Sequence, residues 1–238
     1  MNDVEAILGY QFKDVSLLAS ACSVSQRRFG PLEHLGDTIG DLAVGITCWQ
    51  NGIGADAAAR LVCNEALTAV YWSRLHQHVD ARSGDVVEAL VGAVHLDGGF
   101  EAAAKVAVEL CAGHLSWEPL GEVATDGLLA SFDDPPATWV GALAIEAIIA
   151  DAIVCDVGSE RTSQRELTAI RQKVASSAAM LEAARVSDLS DVVTDRPSAA
   201  ALQASAATTL LWSVWETTSV IVTTLLLKRQ LGMPPIGR

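Results

Sequence analysis

Two short acidic runs organise this sequence, Glu33-His34-Leu35-Gly36-Asp37 and, further along, Asp85-Val86-Val87-Glu88. Residues three or four apart lie on the same face of an α-helix, so each run would present two carboxylates together. Like charges at this spacing oppose helix formation by roughly a few tenths of a kcal/mol. Two such faces brought together would form a pocket of four carboxylates. Mg²⁺ or Mn²⁺, which prefer oxygen ligands, would relieve their repulsion.

The alternative is that both runs are ordinary solvated acids on amphipathic helices. Their neighbours argue for burial, because large apolar residues flank each run at helical spacing. These are Leu32, Leu35, Ile39 and Leu42 around the first run, and Val87, Leu90, Val91 and Val94 around the second. A buried carboxylate needs a compensating partner, so the flanking residues favour the metal pocket.

Both runs lie within four sequence blocks that resemble the ribonuclease III family. Residues 32–37, L-E-H-L-G-D, resemble its signature helix L-E-F-L-G-D, and residues 85–99 resemble its second acidic helix and exit turn, D-x-x-E-A-L-x-G-A-x-x-L-D-G-G. Residues 8–14 match its N-terminal L-G-Y-x-F-x-D, and residues 61–67 match its middle L-V-x-N-E-x-L. The four blocks follow in the family's order within residues 1–118.

The resemblance implies an all-α, ribonuclease III-like helical domain over residues 1–118. It also implies a metal-dependent endonuclease that hydrolyses phosphodiesters of structured or double-stranded RNA, with Mg²⁺ (or Mn²⁺) activating the attacking water. Carried over residue by residue, the catalytic metal ligands would be Glu33, Asp37, Asp85 and Glu88.

The second half of the chain resembles a degenerate copy of the first. Proline, glycine and acidic residues predict a linker over residues 119–136, ending in Asp133-Asp134-Pro135-Pro136. In residues 137–238, the four ligand positions would be taken by non-acidic residues: Thr138, Ala142, Ser205 and Thr208. Two tandem copies would form an intramolecular pseudo-dimer with one site, which would nick one strand. One alternative is that the second half is an unrelated helical domain. Another is that whole chains pair as a homodimer.

Several features depart from the family and favour a second interpretation. The family's first helical glutamate is replaced by Gly30, its usual arginines are absent between Asp37 and Leu61, and no double-stranded RNA-binding domain follows. The formal net charge is −13, whereas RNA binding depends largely on basic groups that neutralise phosphates. The fold and its metal would then serve a small-molecule substrate, in a lyase, dehydratase or hydrolase reaction. A structural scaffold fits the four acids least well.

Four further residues are expected to lie around the pocket and to support the metal ligands without binding the ion themselves. His34 takes the family's usual phenylalanine position and would point away from the acidic face. His95 follows Glu88 by two helical turns and would lie on the same side of that helix. Asn64 and Glu65 match the family's N-E pair. Core packing for the histidines and surface exposure for Asn64 and Glu65 are the alternatives.

The remaining patterns predict a helical, intracellular protein without membrane spans. Short helices are expected at Val4–Leu8 and Val15–Ala21, with Asp14 capping the second, followed by helices to about Trp49, over Ala55–Leu75 and over Phe100–Leu115. Five scattered cysteines indicate buried thiols in a reducing compartment, and the N-terminus lacks a basic signal-peptide region, which together predict a cytoplasmic location. Glu216 interrupts the apolar segment Ala206–Leu227, which we therefore interpret as a buried helix.

Overall fold

The computed structural model describes residues 2–79, 83–117, 135–156 and 164–174. Within these ranges every regular element is helical and no β-strand occurs, which confirms the all-α prediction for this part of the chain. The helices are α1 (Asn2–Leu8), α2 (Val15–Ala21), α3 (Phe29–Gln50), α4 (Ala55–Leu61), α5 (Asn64–Val70), a π-helical turn (Tyr71–Leu75), α6 (Asp85–Gly98), α7 (Phe100–Cys111), α8 (Pro135–Asp156) and α9 (Gln164–Val174).

The chain divides into two compact units. The first comprises Met1–Pro119 with Val154–Leu167, and the second comprises Leu120–Ile153 with Thr168–Arg238. In the second unit, α8 is buried along most of its length between Val140 and Ile153, and Glu146 Oε2 lies 3.8 Å from Arg171 Nη1. The predicted counterparts of the first acidic pair, Thr138 and Ala142, both belong to α8.

Helix α3 is the central helix of the first unit and packs chiefly against α6 and α7. It includes Pro31 in its first turn, where a missing backbone N–H costs no hydrogen bond. It ends at Gln50, where Asn51 Nδ2 donates to the carbonyl oxygen of Thr47 at 2.8 Å and Gly52 adopts a φ of +69°. The helix therefore ends within one residue of the predicted Trp49, followed by a glycine in the left-handed conformation.

Asp97 ties the N-terminal segment to the end of α6. Its carboxylate accepts hydrogen bonds from Tyr10 Oη at 2.7 Å, from the Lys13 backbone N–H at 2.9 Å and from the Asp14 backbone N–H at 2.8 Å. Asp14 in turn accepts from the Ser16 backbone N–H at 2.9 Å, which confirms its predicted role as the N-cap of α2. The L-G-Y-x-F-x-D and L-D-G-G blocks are thus partners in one hydrogen-bonded cluster.

Some sequence predictions lie outside the described residues. These are the second degenerate acidic pair, Ser205 and Thr208, and the apolar segment Ala206–Leu227. Most of the predicted linker, residues 119–134, also lies outside them, and α8 begins near the end of the linker with Pro135. Where the helices are described, none combines the length and hydropathy that a membrane span requires.

Candidate metal centre

The site is built where α3 and α6 cross in direct backbone contact. A Cβ atom on Gly36 would overlap the backbone carbonyl oxygen of Glu88, and one on Gly92 would overlap that of Leu32. Only glycine on both helices permits this approach. The acidic face of α3 consequently lies directly against the acidic first turn of α6.

Three of the four predicted ligands meet at this crossing. Carboxylate oxygens of Glu33, Asp85 and Glu88 all lie within 4.8 Å of one another. Glu33 is buried at 9% exposure, whereas Asp85 and Glu88 are partly exposed. Oxygens this close can coordinate a single divalent cation, since metal–oxygen bonds of about 2.0–2.6 Å join ligands at such separations. The cluster could therefore hold a metal ion.

Burial and the close packing of these acids strongly raise the pKa of Glu88. Its pKa is raised to about 9, chiefly by burial, and the negative charges of Asp37, Glu33, Asp85 and Asp41 contribute to this rise in that order of effect. Without a cation, Glu88 is therefore protonated at neutral pH. A divalent ion would add positive charge to this group of acids.

Asp37, the fourth predicted ligand, is outside the three-carboxylate cluster and lines an adjoining cleft with Glu88. This cleft encloses about 270 Å³, part of it open to solvent. Its lining is acidic or uncharged throughout the described residues that form it: Gly36, Asp37, Gly40, Asp41, Val62, Leu67, Val87, Glu88, Val91, Ala107 and Cys111. Glu88 is the residue that the carboxylate cluster and the described lining of the cleft share.

Sequence reasoning missed two functional groups of the cleft, Asp41 and Cys111. Asp41 follows Asp37 by one further helical turn, so the spacing of four that links Glu33 to Asp37 already contained the signal. Cys111 had no such signal, because only the packing of α7 brings it to the cleft. Burial and the charges of Asp41 and Glu88 raise the pKa of its thiol to about 12, so it is a neutral wall residue.

The four residues predicted to lie around the pocket occupy different environments. His34 and His95 are buried, at 2% and 6% exposure, on α3 and α6. Asn64 and Glu65 are exposed at the start of α5. None of these four residues is among the described residues that line the cleft.

No model of a known protein family matches the sequence, and no curated protein matches it significantly. The resemblance to ribonuclease III is therefore carried by the four sequence blocks within residues 1–118. The observations that bear on function are the carboxylate cluster and its cleft.

Proposed function

We propose that the first unit is a ribonuclease III-like, divalent-metal-dependent endoribonuclease centre that hydrolyses phosphodiesters of structured or double-stranded RNA. The observation that carries this proposal is the convergence of Glu33, Asp85 and Glu88 from two helices whose backbones touch. An all-oxygen donor set favours Mg²⁺ or Mn²⁺ over softer metals.

Each acidic residue has a role in this proposal. Glu33, Asp85 and Glu88 would hold the ion, and Asp37 would complete the ligand set on the cleft side. Glu88 would have to release its proton to solvent for its carboxylate to bind the ion. The chemistry that the ion supplies when bound is positive charge against the developing charge on the phosphate, and a lower pKa for the attacking water.

We further propose that residues 137–238 act as a degenerate partner of the first copy, giving one live site per chain. The support is the long apolar helix α8, in which Thr138 and Ala142 replace the first acidic pair. Intramolecular pairing predicts a monomer in solution that nicks duplex RNA, whereas a homodimer with two live sites would cut both strands. The five cysteines are scattered along the sequence without a C-x-x-C pair, which supports a reducing, cytoplasmic setting.

A second candidate function is metal-dependent turnover of a small molecule at the same site. The observation in its favour is the cleft itself, which is small and whose described lining includes carboxylates but no cationic side chain. The metal would then act as a Lewis acid on a metabolite in a lyase, dehydratase or hydrolase reaction.

Cleavage of an end-labelled RNA duplex with Mg²⁺ or Mn²⁺ tests the two candidates. We expect single-strand nicks from the wild type and from Asp56→Asn, which changes an exposed acid on α4. We expect no cleavage from Asp37→Asn or Asp85→Asn. If the wild type leaves RNA intact, while both site variants lose a metal binding that the wild type has, the small-molecule candidate replaces the nuclease.

A further inference from the structure

We propose that Gly84 positions the metal ligand Asp85, because its lack of a side chain lets α6 begin directly against the backbone of α5. This inference rests on the proposed metal centre and adds a positioning residue to it. Gly84 immediately precedes Asp85 and lies outside the family-like blocks, between the one that ends at residue 67 and the one that begins at residue 85.

The contact between Gly84 and α5 leaves no room for a side chain. Gly84 is buried, and a Cβ atom on it would stand 2.8 Å from Leu67 Cβ, 3.1 Å from the Leu67 carbonyl carbon and 3.0 Å from the Thr68 nitrogen. Two of these three atoms belong to the main chain of α5, which cannot rotate away as a side chain can. The φ of −61° and ψ of −22° at Gly84 are accessible to every residue. Space, rather than backbone conformation, therefore requires glycine here.

The backbone of Gly84 is part of the turn that carries the ligands. Its carbonyl oxygen accepts hydrogen bonds from the backbone N–H groups of Val87 at 2.8 Å and of Glu88 at 3.4 Å. These bonds close the first turn of α6, which begins at Asp85. A displacement of Gly84 would therefore carry the backbone of Asp85 with it. The packing of Gly84 on α5 determines where the Asp85 side chain starts.

The first turn of α6 cannot yield toward α3. A Cβ on Gly36 would overlap the carbonyl oxygen of Glu88, so the two backbones are already in contact there. A methyl group at position 84 that displaced this turn would consequently separate Asp85 from Glu33. Their carboxylate oxygens now lie within 4.8 Å of each other. Because Mg²⁺ and Mn²⁺ need short bonds to oxygen, such a displacement would weaken the binding of the ion.

Titration of the full chain with Mn²⁺ tests the proposal. For Gly84→Ala we expect the Kd for Mn²⁺ to rise at least about tenfold, the usual effect of losing a group that orients a metal ligand. Gly54→Ala is the matched control, because Gly54 also stands at the start of a helix, α4, and its Cβ would have no neighbour within 4 Å. Its Kd should stay within about twofold of wild type.

A second control separates positioning from a general loss of stability. Leu18→Ala removes a fully buried side chain on α2 that belongs neither to the carboxylate cluster nor to the described cleft lining. It should lower the Tm, because it leaves a cavity in the core. We expect its Kd for Mn²⁺ to stay within about threefold of wild type. A similar rise of Kd in Leu18→Ala and Gly84→Ala would overturn the inference.

A longer ligand should compensate for the displaced turn. In the wild type, Asp85→Glu should weaken Mn²⁺ binding, because its carboxylate no longer fits the cluster. In Gly84→Ala the same change should lower the Kd at least about threefold, since the extra methylene extends the reach of the carboxylate. If Gly84 serves packing alone, the two losses add instead. The absence of recovery in the double variant would refute the role of Gly84.

Movement of α5 instead of α6 is the competing outcome. Gly84→Ala would then have a lower Tm but an unchanged Kd for Mn²⁺, and the inference would be wrong. If Gly84→Ala does not fold, the contact is tested from α5, since Leu67→Gly removes the Cβ that Gly84 touches and Leu67→Ala keeps it. We expect a Kd at least about threefold higher in Leu67→Gly than in Leu67→Ala, and equal values would contradict the proposal.

The metal centre, the nuclease and the role of Gly84 fail in different ways. A wild type that binds no Mn²⁺ refutes the metal centre, and the role of Gly84 falls with it. Mn²⁺ binding by the wild type without cleavage of RNA refutes the nuclease alone. An unchanged Kd in Gly84→Ala refutes only the role of Gly84.

Discussion

The backbone of Gly36 lies so close to Gly92 that a Cβ on Gly92 would stand 3.0 Å from the Gly36 nitrogen. The separation of α3 and α6 is therefore set by main-chain atoms, which cannot rearrange as side chains can. Glu33 precedes Gly36 by three residues, and Glu88 precedes Gly92 by four. The crossing thereby brings carboxylate oxygens of Glu33 and Glu88 within 4.8 Å of each other.

Adding a methyl group at the crossing should separate the helices. We expect Gly36→Ala and Gly92→Ala each to lower the free energy of unfolding by about 3 kcal/mol or more and to abolish metal binding. Gly40→Ala is the control on the same helix, because its Cβ would have no neighbour within 4 Å. It should leave stability unchanged or raise it by up to about 1 kcal/mol. Urea titration measures the free energy of unfolding of all three variants. Equal changes in the three would contradict the close backbone contact between α3 and α6.

Metal binding should stabilise the folded protein through the carboxylate cluster. We expect Mg²⁺ or Mn²⁺ to raise the Tm, by an amount equivalent to about 2.7 kcal/mol at a concentration 100 times the Kd. Glu33→Gln and Asp85→Asn should remove most of this rise. Asp56→Asn, on exposed α4, should keep it. A full rise in Glu33→Gln would mean that the ion binds elsewhere.

The raised pKa of Glu88 predicts the pH dependence of metal-free stability. The folded protein keeps this proton up to about pH 9, whereas an ordinary glutamate loses it near the reference pKa of 4.5. The unfolded state therefore binds fewer protons between these values, so the free energy of unfolding should fall as pH rises from about 5 to 9.

Glu88→Gln should remove this dependence and stabilise the metal-free protein by at least about 1 kcal/mol at pH 8. Thermal unfolding in a chelator across this range measures the effect. Glu65→Gln, which changes an exposed acid, should retain the wild-type slope. Parallel curves for wild type and Glu88→Gln would contradict the assigned electrostatics.

The pKa of Tyr10 should report on the hydrogen bonds that the Asp97 carboxylate accepts. Burial and the hydrogen bond to Asp97 raise the pKa of Tyr10 to about 12. In Asp97→Asn we expect this pKa to fall but to remain above 10, because burial is the larger cause. The free energy of unfolding should fall by about 1–2 kcal/mol. Spectroscopic titration follows the tyrosine, and Tyr10→Phe should cost less stability because it removes only one of the three bonds.

Local chemistry made much of the first unit predictable from its sequence. The N-cap at Asp14, the proline in the first turn of α3 and the glycines that end α3 and α6 each act within one or two turns of their own helix. The pairing of acids at helical spacing was equally local. It placed Glu33 with Asp37 and Asp85 with Glu88 before any packing was known.

The rest depended on packing between helices. Nothing in the sequence states that the backbones of α3 and α6 touch, and this contact decides that Glu33, Asp85 and Glu88 form the closest cluster while Asp37 faces the cleft. Cys111 reaches the cleft only because α7 closes one of its sides. Its position there follows from tertiary neighbours that are distant along the chain, such as Leu67.

The π-helical turn at Tyr71–Leu75 contains one residue more than an α-helix would need for the same turn. Deleting one residue there would let the segment continue as an ordinary α-helix, and every following side chain would rotate by about 100°. Leu75, now fully buried, would turn away from the core, and Arg74 would lose its place against α7. A single inserted residue thus sets the register in which this segment meets both the core and α7.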